Sequence, residues 1–206
     1  MTLLLAGATG LVGSRVLALV PDALPVSRRP AGKPGVVADF DDLPPLPPAR
    51  TAICALGTTR ARAGSDAAFR AVDHDAVLAF ARAAKVAGVQ HFLLVSSVGA
   101  DPRARLLYPR TKGEVEAALA IMGFDRLDIV QPGLLLGPRA ERRPVEAFMQ
   151  WAAPLMELIL PARLDHWGAV PATTVALALK ALRDQTQPGV VSHRNRDLIA
   201  LACRAA

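Results

Sequence analysis

The segment LLLAGATGLVGS at residues 3–14 constrains this chain more than any other. A short apolar run ends in Gly7, and Gly10 and Gly13 follow at three-residue intervals, just where a helical pattern begins. In a strand-turn-helix unit Gly7 permits the tight turn, Gly10 lets the backbone approach a diphosphate, and Gly13 lets the helix pack closely on the strand. The N–H groups and positive dipole end of the helix opening at Leu11 then face the pyrophosphate. Glycine triplets also mark ordinary turns, so the weight rests on the β-like run before this one and the helix-like run after it.

The same alternation continues along the chain. Apolar, β-rich runs at Thr2–Ala6, Thr51–Leu56, Val89–Ser96 and Leu127–Gln131 alternate with helical patterns at Leu11–Val20, Asp66–Ala87 and Pro109–Met122. Runs as continuously apolar as TLLLA and HFLLVSS suit strands covered on both faces. The prediction is an α/β fold, a Rossmann-type doubly wound parallel sheet with helices on both faces and a small C-terminal substrate-side extension. Gly88 and Gly123 stand where left-handed C-caps would end two of the helices. FDDLPPLPPAR, with four prolines, reads as a rigid surface connection. After Gln131 we expect a helix over Val145–Ile159, another opening at Thr173 or Thr174 and reaching Leu182, and a short strand near Val190. A length of 206 residues with no internal repeat predicts one domain, residues 1–206.

Composition narrows the function. Apolar residues make up 52% and charged residues 20%, as in a globular protein. No apolar stretch reaches the length of a membrane span, and glycines interrupt the apolar start, which lacks a basic leader region. Cys54 and Cys203, without CxxC spacing, suit a reducing compartment; the expected location is cytoplasmic and both thiols are expected to be inert. His74, His91, His166 and His193 are scattered, so no metal is expected. The net charge of +6 admits a polyanion partner, but the arginines are dispersed and only nine aromatic residues accompany them, which makes a nucleic acid the weaker reading.

Two further signals refine the nucleotide reading. The run around Pro25 and Val26 ends in Ser27, Arg28 and Arg29, with no acid before Asp39. An NAD site usually offers an acid there for the ribose hydroxyls, whereas arginines suit a 2′-phosphate. The pattern therefore points to NADP(H), although two surface arginines on a turn would look the same. Asp39, after Val36 and Val37, stands where it could border the adenine. Downstream, Ser96 and Ser97 end a strand, and Tyr108 and Lys112 follow at YxxxK spacing. On a helix those two share a face, and an ammonium beside a phenol favours its ionised form. Tyr108 would then be the proton donor, Ser97 would hold a carbonyl oxygen, and Lys112 would also reach the nicotinamide ribose. Spacing leaves open which of Ser96 and Ser97 faces the site. Because Pro109 disfavours α geometry in the residue before it, Tyr108 is expected as a cap rather than inside the helix.

Together GATGLVGS, SRR, CALGTTRARAGS with FRAVDHD, LLVSSVGAD, YPRTKGEVE and QPGLLLGPRAERRP resemble the short-chain dehydrogenase/reductase superfamily, and within it the atypical branch of Tat-interacting oxidoreductase-like proteins. The resemblance implies that Thr9, Gly10, Leu11 and Val12 contact the diphosphate and that Arg28 and Arg29 bind the 2′-phosphate. It implies further that Leu56 and Gly57 line the cofactor, that Tyr108 and Lys112 form the catalytic pair, and that Leu135 and Arg143 close over the nicotinamide. The interval from Ser97 to Tyr108 is shorter than in sugar-nucleotide epimerases, and the C-terminal portion is too small to grip a nucleotide sugar, which argues against epimerase activity. The expected function is reduction of a small carbonyl compound with NADPH; the contrasting one is a non-catalytic NADPH-binding regulator acting through a protein partner. Arg139, Arg142 and Arg143, near the expected pocket rim, suit an anionic group on the substrate and would equally serve the cofactor or solvent. Monomer and homodimer are both compatible with the sequence, since an apolar helix bearing Phe148 and Trp151 could pack in a core or between copies.

Overall fold

A computed structural model of the chain describes residues 2–137 and 168–205. The seven strands of its main sheet are β1 (Leu3–Ala6), β2 (Ala23–Ser27), β3 (Val36–Val37), β4 (Thr51–Cys54), β5 (His91–Val95), β6 (Arg126–Gln131) and β9 (Gly189–Arg194). All pair in parallel, in the order β3-β2-β1-β4-β5-β6-β9, so the order reverses beside β1. This is the expected doubly wound Rossmann-type sheet, and ligands in such sheets bind beyond the strands' carboxyl ends at the reversal. Two more strands, β7 (Leu135–Leu136) and β8 (Val170–Pro171), form a separate parallel pair.

The helices are α1 (Gly13–Leu19), α2 (Arg60–Ala63), α3 (Asp66–Arg70), α4 (Ala76–Val86), α5 (Leu107–Ala120), α6 (Ala172–Leu182) and α7 (Asn195–Ala205). Continuous apolar strands require cover on both faces, and two cores provide it. On one face Phe80 of α4 and Val115 and Leu119 of α5 pack on Leu4, Phe92 and Leu127. On the other Val16 of α1, Val175 and Leu179 of α6 and Leu198 of α7 pack on Leu5, Leu93 and Val130. Each fully buried side chain of this size contributes roughly 1.5–3 kcal/mol.

The structure corrects several boundaries. The helix expected over Asp66–Ala87 is interrupted by a π turn at Ala71–Asp75 between α3 and α4. Its far end closes as expected: Gly88 has φ of 88°, its N–H donates to the Lys85 carbonyl, and Val89 N–H donates to Ala84. Tyr108 is helical, not a cap, because Leu106 is the extended residue before α5. Pro109 is tolerated there since the first turn of a helix needs no backbone donor from it. The next helix begins at Ala172, after extended Pro171, so neither Thr173 nor Thr174 is its cap. Helix α7 was not anticipated at all. The helix expected over Val145–Ile159 lies outside the described residues.

Candidate functional site

The glycine turn is built as its spacing predicts. Gly7 has φ of 81°, and Gly10 N–H donates to its carbonyl at 2.9 Å. A Cβ on Gly7 would lie 2.4 Å from the Ala55 carbonyl, and one on Gly13 would lie 2.1 Å from the Gly7 oxygen. Both positions are closed to any side chain by neighbouring backbone. At Gly10 a Cβ would meet the Gly7 oxygen at 3.2 Å and the Ala55 oxygen at 3.8 Å, and the residue is exposed, so among the described residues the space above it is open. Thr9 is exposed as well and Leu11 half-buried, whereas the Val12 side chain is buried in the core beside Val16. Leu135 is partly buried on that same core, and a Cβ on Gly137, just after β7, would lie 3.0 Å from Arg15 Nη2 and 3.2 Å from Leu11 Cδ1.

At the end of β2, Arg28 and Arg29 are exposed, and Ser27 Oγ donates to the Arg29 carbonyl at 2.7 Å, which shapes the turn that presents them. Neither guanidinium has an ion-pair partner among the described residues. Arg143, with Arg139 and Arg142, lies outside those residues.

Tyr108 and Lys112 share a face of α5, with Lys112 Nζ 5.9 Å from the Tyr108 ring centroid; the Phe69 ring of α3 lies 5.9 Å from the same ring. Lys112 is buried, and its Nζ stands 2.7 Å from Oδ1 of Asp73, which is buried on the π turn. The other Asp73 oxygen accepts from the Thr58 N–H at 2.6 Å. A Cβ on Gly57 would sit 3.4 Å from Asp73 Oδ1 and 3.8 Å from Lys112 Nζ, so the loop after β4 abuts this pair. Leu56 is half-buried on the adjoining core. Burial works against the Lys112 charge, yet the Asp73 carboxylate and the Tyr108 phenol hold the ammonium above its ordinary range. Burial also pushes the Cys54 thiol, at the end of β4, up to about 12, which makes it a poor nucleophile.

The two serines divide. Ser96 Oγ donates to Glu116, whose two oxygens also accept from Gln131 Nε2 at 3.0 and 2.9 Å. Ser97 Oγ is buried with no hydrogen-bond partner among the described residues. The uncommitted hydroxyl is therefore that of Ser97. Burial raises the Glu116 carboxyl above the usual carboxylate range, while Ser96, Gln131 and Lys112 oppose the shift.

Asp73, Glu116 and Gly113 escaped the sequence reading, yet two left a signal. Asp73 is an acid in the apolar stripe of Phe69, Val77 and Phe80, and Glu116 continues the i, i+4 row from Tyr108 through Lys112. Gly113 is needed because a Cβ there would lie 2.3 Å from Asp101 and Pro102 backbone. Of the scattered histidines, His91 and His193 converge on one buried carboxylate, Asp128, at 2.6 and 2.7 Å, but Arg126 takes its remaining valence. Among the described residues no group of three metal-ligating side chains gathers, and no helix is long and apolar enough to cross a membrane.

A parallel sheet of this order with a glycine turn after its first strand defines a Rossmann-type protein. Solved structures agree on the fold: human epimerase family protein SDR39U1 with NADPH superposes with a TM-score of 0.68 at 19% identity, over 94% of this chain and 74% of the other. MoeE5 in complex with UDP-glucose and NAD gives 0.70 at 17% identity, over 99% and 81%. No family model matches the chain. Its sequence is 43% identical to the protein HTATIP2 of Rattus norvegicus over 160 residues, 74% of this chain and 62% of that one. It is 35% identical to FMP52 of Coccidioides immitis over 205 residues, 86% and 83% of the two chains. The chain belongs to the HTATIP2/FMP52 family. The alignments cover 66% of the fmp52 protein of Emericella nidulans and 62% of rat HTATIP2, so the match spans about two thirds of those proteins. The expected cytoplasmic location is overturned by these relatives: the fungal proteins are named as mitochondrial, and a reducing pattern of cysteines does not separate the two compartments.

Proposed function

We propose that the chain, acting as one nucleotide-binding domain, binds NADPH and reduces a small carbonyl compound. The observation that carries the reading is Lys112 Nζ held 5.9 Å from the Tyr108 ring, at the same sheet edge where the glycine turn opens. The described residues suit a nicotinamide dinucleotide. The open space over Gly10 accepts a diphosphate, with Thr9, Leu11 and Val12 around it and Gly7 and Gly13 shaping the turn. Arg28 and Arg29, without ion-pair partners among the described residues, would accept a 2′-phosphate, and this preference for NADP(H) accords with the NADPH carried by the SDR39U1 structure. Leu56, Gly57 and Leu135 flank the path toward Tyr108.

When bound, the nicotinamide supplies hydride to the substrate carbon. Tyr108 donates the proton to the developing alkoxide, Ser97 donates its uncommitted hydroxyl to the same oxygen, and Lys112 stabilises the phenolate left behind. Tyr108→Phe tests the assignment: turnover of a carbonyl panel should fall about 10²- to 10⁴-fold while NADPH still raises the melting temperature. Retention of both activity and nucleotide by that variant would falsify the catalytic assignment. A parent protein that is stabilised by NADPH and yet reduces nothing in the panel would instead favour the regulator reading.

A further inference from the structure

The π turn at Ala71–Asp75 interrupts regular helix between α3 and α4, and it carries a buried acid on an otherwise apolar face. A turn widened to i→i+5 spacing re-aims the side chains it carries and recurs at functional sites. Here Asp73 points back beneath the loop after β4 and meets two groups: Lys112 Nζ at 2.7 Å and the Thr58 N–H at 2.6 Å. Asp73 is 1% exposed and the Lys112 side chain 6%. An ammonium this far from water loses its proton readily unless an anion holds it. The other titratable groups in its field are the Tyr108 phenol and Glu116, both on α5, and the Cys54 thiol at the end of β4. The thiol is neutral, and Glu116 is already committed to Ser96 and Gln131, which leaves Asp73 as the counter-ion at contact distance.

We infer that Asp73 is a positioning residue for the proposed reductase site, keeping Lys112 charged and aimed at Gly57 and Tyr108 while its second oxygen fixes the cofactor-side loop at Thr58. The inference deepens the reductase reading and rests on it for the roles of Tyr108 and Lys112. Asp73 does not touch substrate; it acts through the lysine. Asparagine at this position could still accept from Thr58, but it would offer no charge to Lys112, and the lysine would become a neutral amine. The phenol would then lose its cationic neighbour.

Tyr108 is the only tyrosine of the chain, so phenolate absorbance near 295 nm reports this site alone. In Asp73→Asn the midpoint of that titration should move to higher pH, as in Lys112→Met, and Asp73→Glu should bring it back. An unchanged or lowered midpoint in Asp73→Asn overturns the inference. Should that variant fold poorly, the unmodified protein answers through its Lys112 ζ-nitrogen, observed by NMR with [15N]lysine and assigned by Lys112→Arg: it should keep its proton to higher pH than the exposed lysines in the same spectrum, and deprotonation with them or before them overturns the inference. Thermal shift with NADPH, run in parallel on parent and variants, keeps the two readings apart. If NADPH stabilises none of them, the nucleotide reading fails while the phenol and lysine titrations still decide the role of Asp73.

Discussion

Single residues in this chain are fixed by different physics, and substitutions separate the causes. Gly13 is demanded by the fold, since its missing Cβ is the only way α1 can close on the Gly7 carbonyl. Gly13→Ala should therefore cost about 1–3 kcal/mol of stability and remove the NADPH-induced thermal shift, both read by melting with and without nucleotide. Arg28 and Arg29 serve nothing within the described chain, so a double change to alanine should leave the melting temperature within a degree or two and weaken NADPH binding at least tenfold, with NADH unaffected; equal weakening of the two nucleotides would remove the 2′-phosphate role. The glycines were legible because turn geometry and close approach are written in local spacing. Asp73 was not, because one acid in an apolar stripe says that a partner exists without saying that it is a lysine thirty-nine residues on.

At the scale of elements, parallel strands bring distant residues together and create charge clusters no local pattern announces. Strands β5, β6 and β9 place His91, Arg126 and His193 around Asp128, with Arg126 Nε 2.6 Å from one carboxylate oxygen and Nη2 2.9 Å from the other. Burial opposes the Asp128 charge, but hydrogen bonds from His193, His91 and Arg126 hold its carboxyl well below the usual carboxylate range. A carboxyl depressed in the folded state stabilises fully above its unfolded value, near 3.8, and that contribution is lost as pH falls below it toward the folded value. Asp128→Asn should thus cost about 3–5 kcal/mol at neutral pH, and the gap to the parent in denaturant melts should narrow below pH 4. Glu116 carries the opposite sign. Its carboxyl is raised by burial, so the folded state prefers the proton, and stability falls as pH rises from the unfolded value toward the folded one. Glu116→Gln should melt at or above the parent at pH 8 and lose that advantage at pH 4; a variant markedly less stable at both pH values would show that the carboxylate itself is needed.

Across the whole molecule, order and parallel pairing bring the candidate site to one edge of the sheet. The glycine turn follows β1, Gly57 follows β4, and Ser97 follows β5, so three segments separated by some ninety residues meet where the strand order reverses. A melt with NADPH and NADH side by side should show NADPH as the stronger stabiliser, adding about 2.7 kcal/mol to the nucleotide-free protein at a hundredfold excess over its dissociation constant. The sequence by itself determined the alternation of strands and helices, the sheet's parallel character, the glycine turn, and the shared face of Tyr108 and Lys112, because each is a matter of short-range periodicity. Only the tertiary structure decided that Ser97 rather than Ser96 keeps a hydroxyl uncommitted among the described residues, that a π turn divides one predicted helix, that Tyr108 lies inside its helix, and that Asp73 holds Lys112. Those outcomes depend on which side chains from remote segments reach the same buried volume, and burial without water obliges every charge there to find a partner that local spacing does not encode.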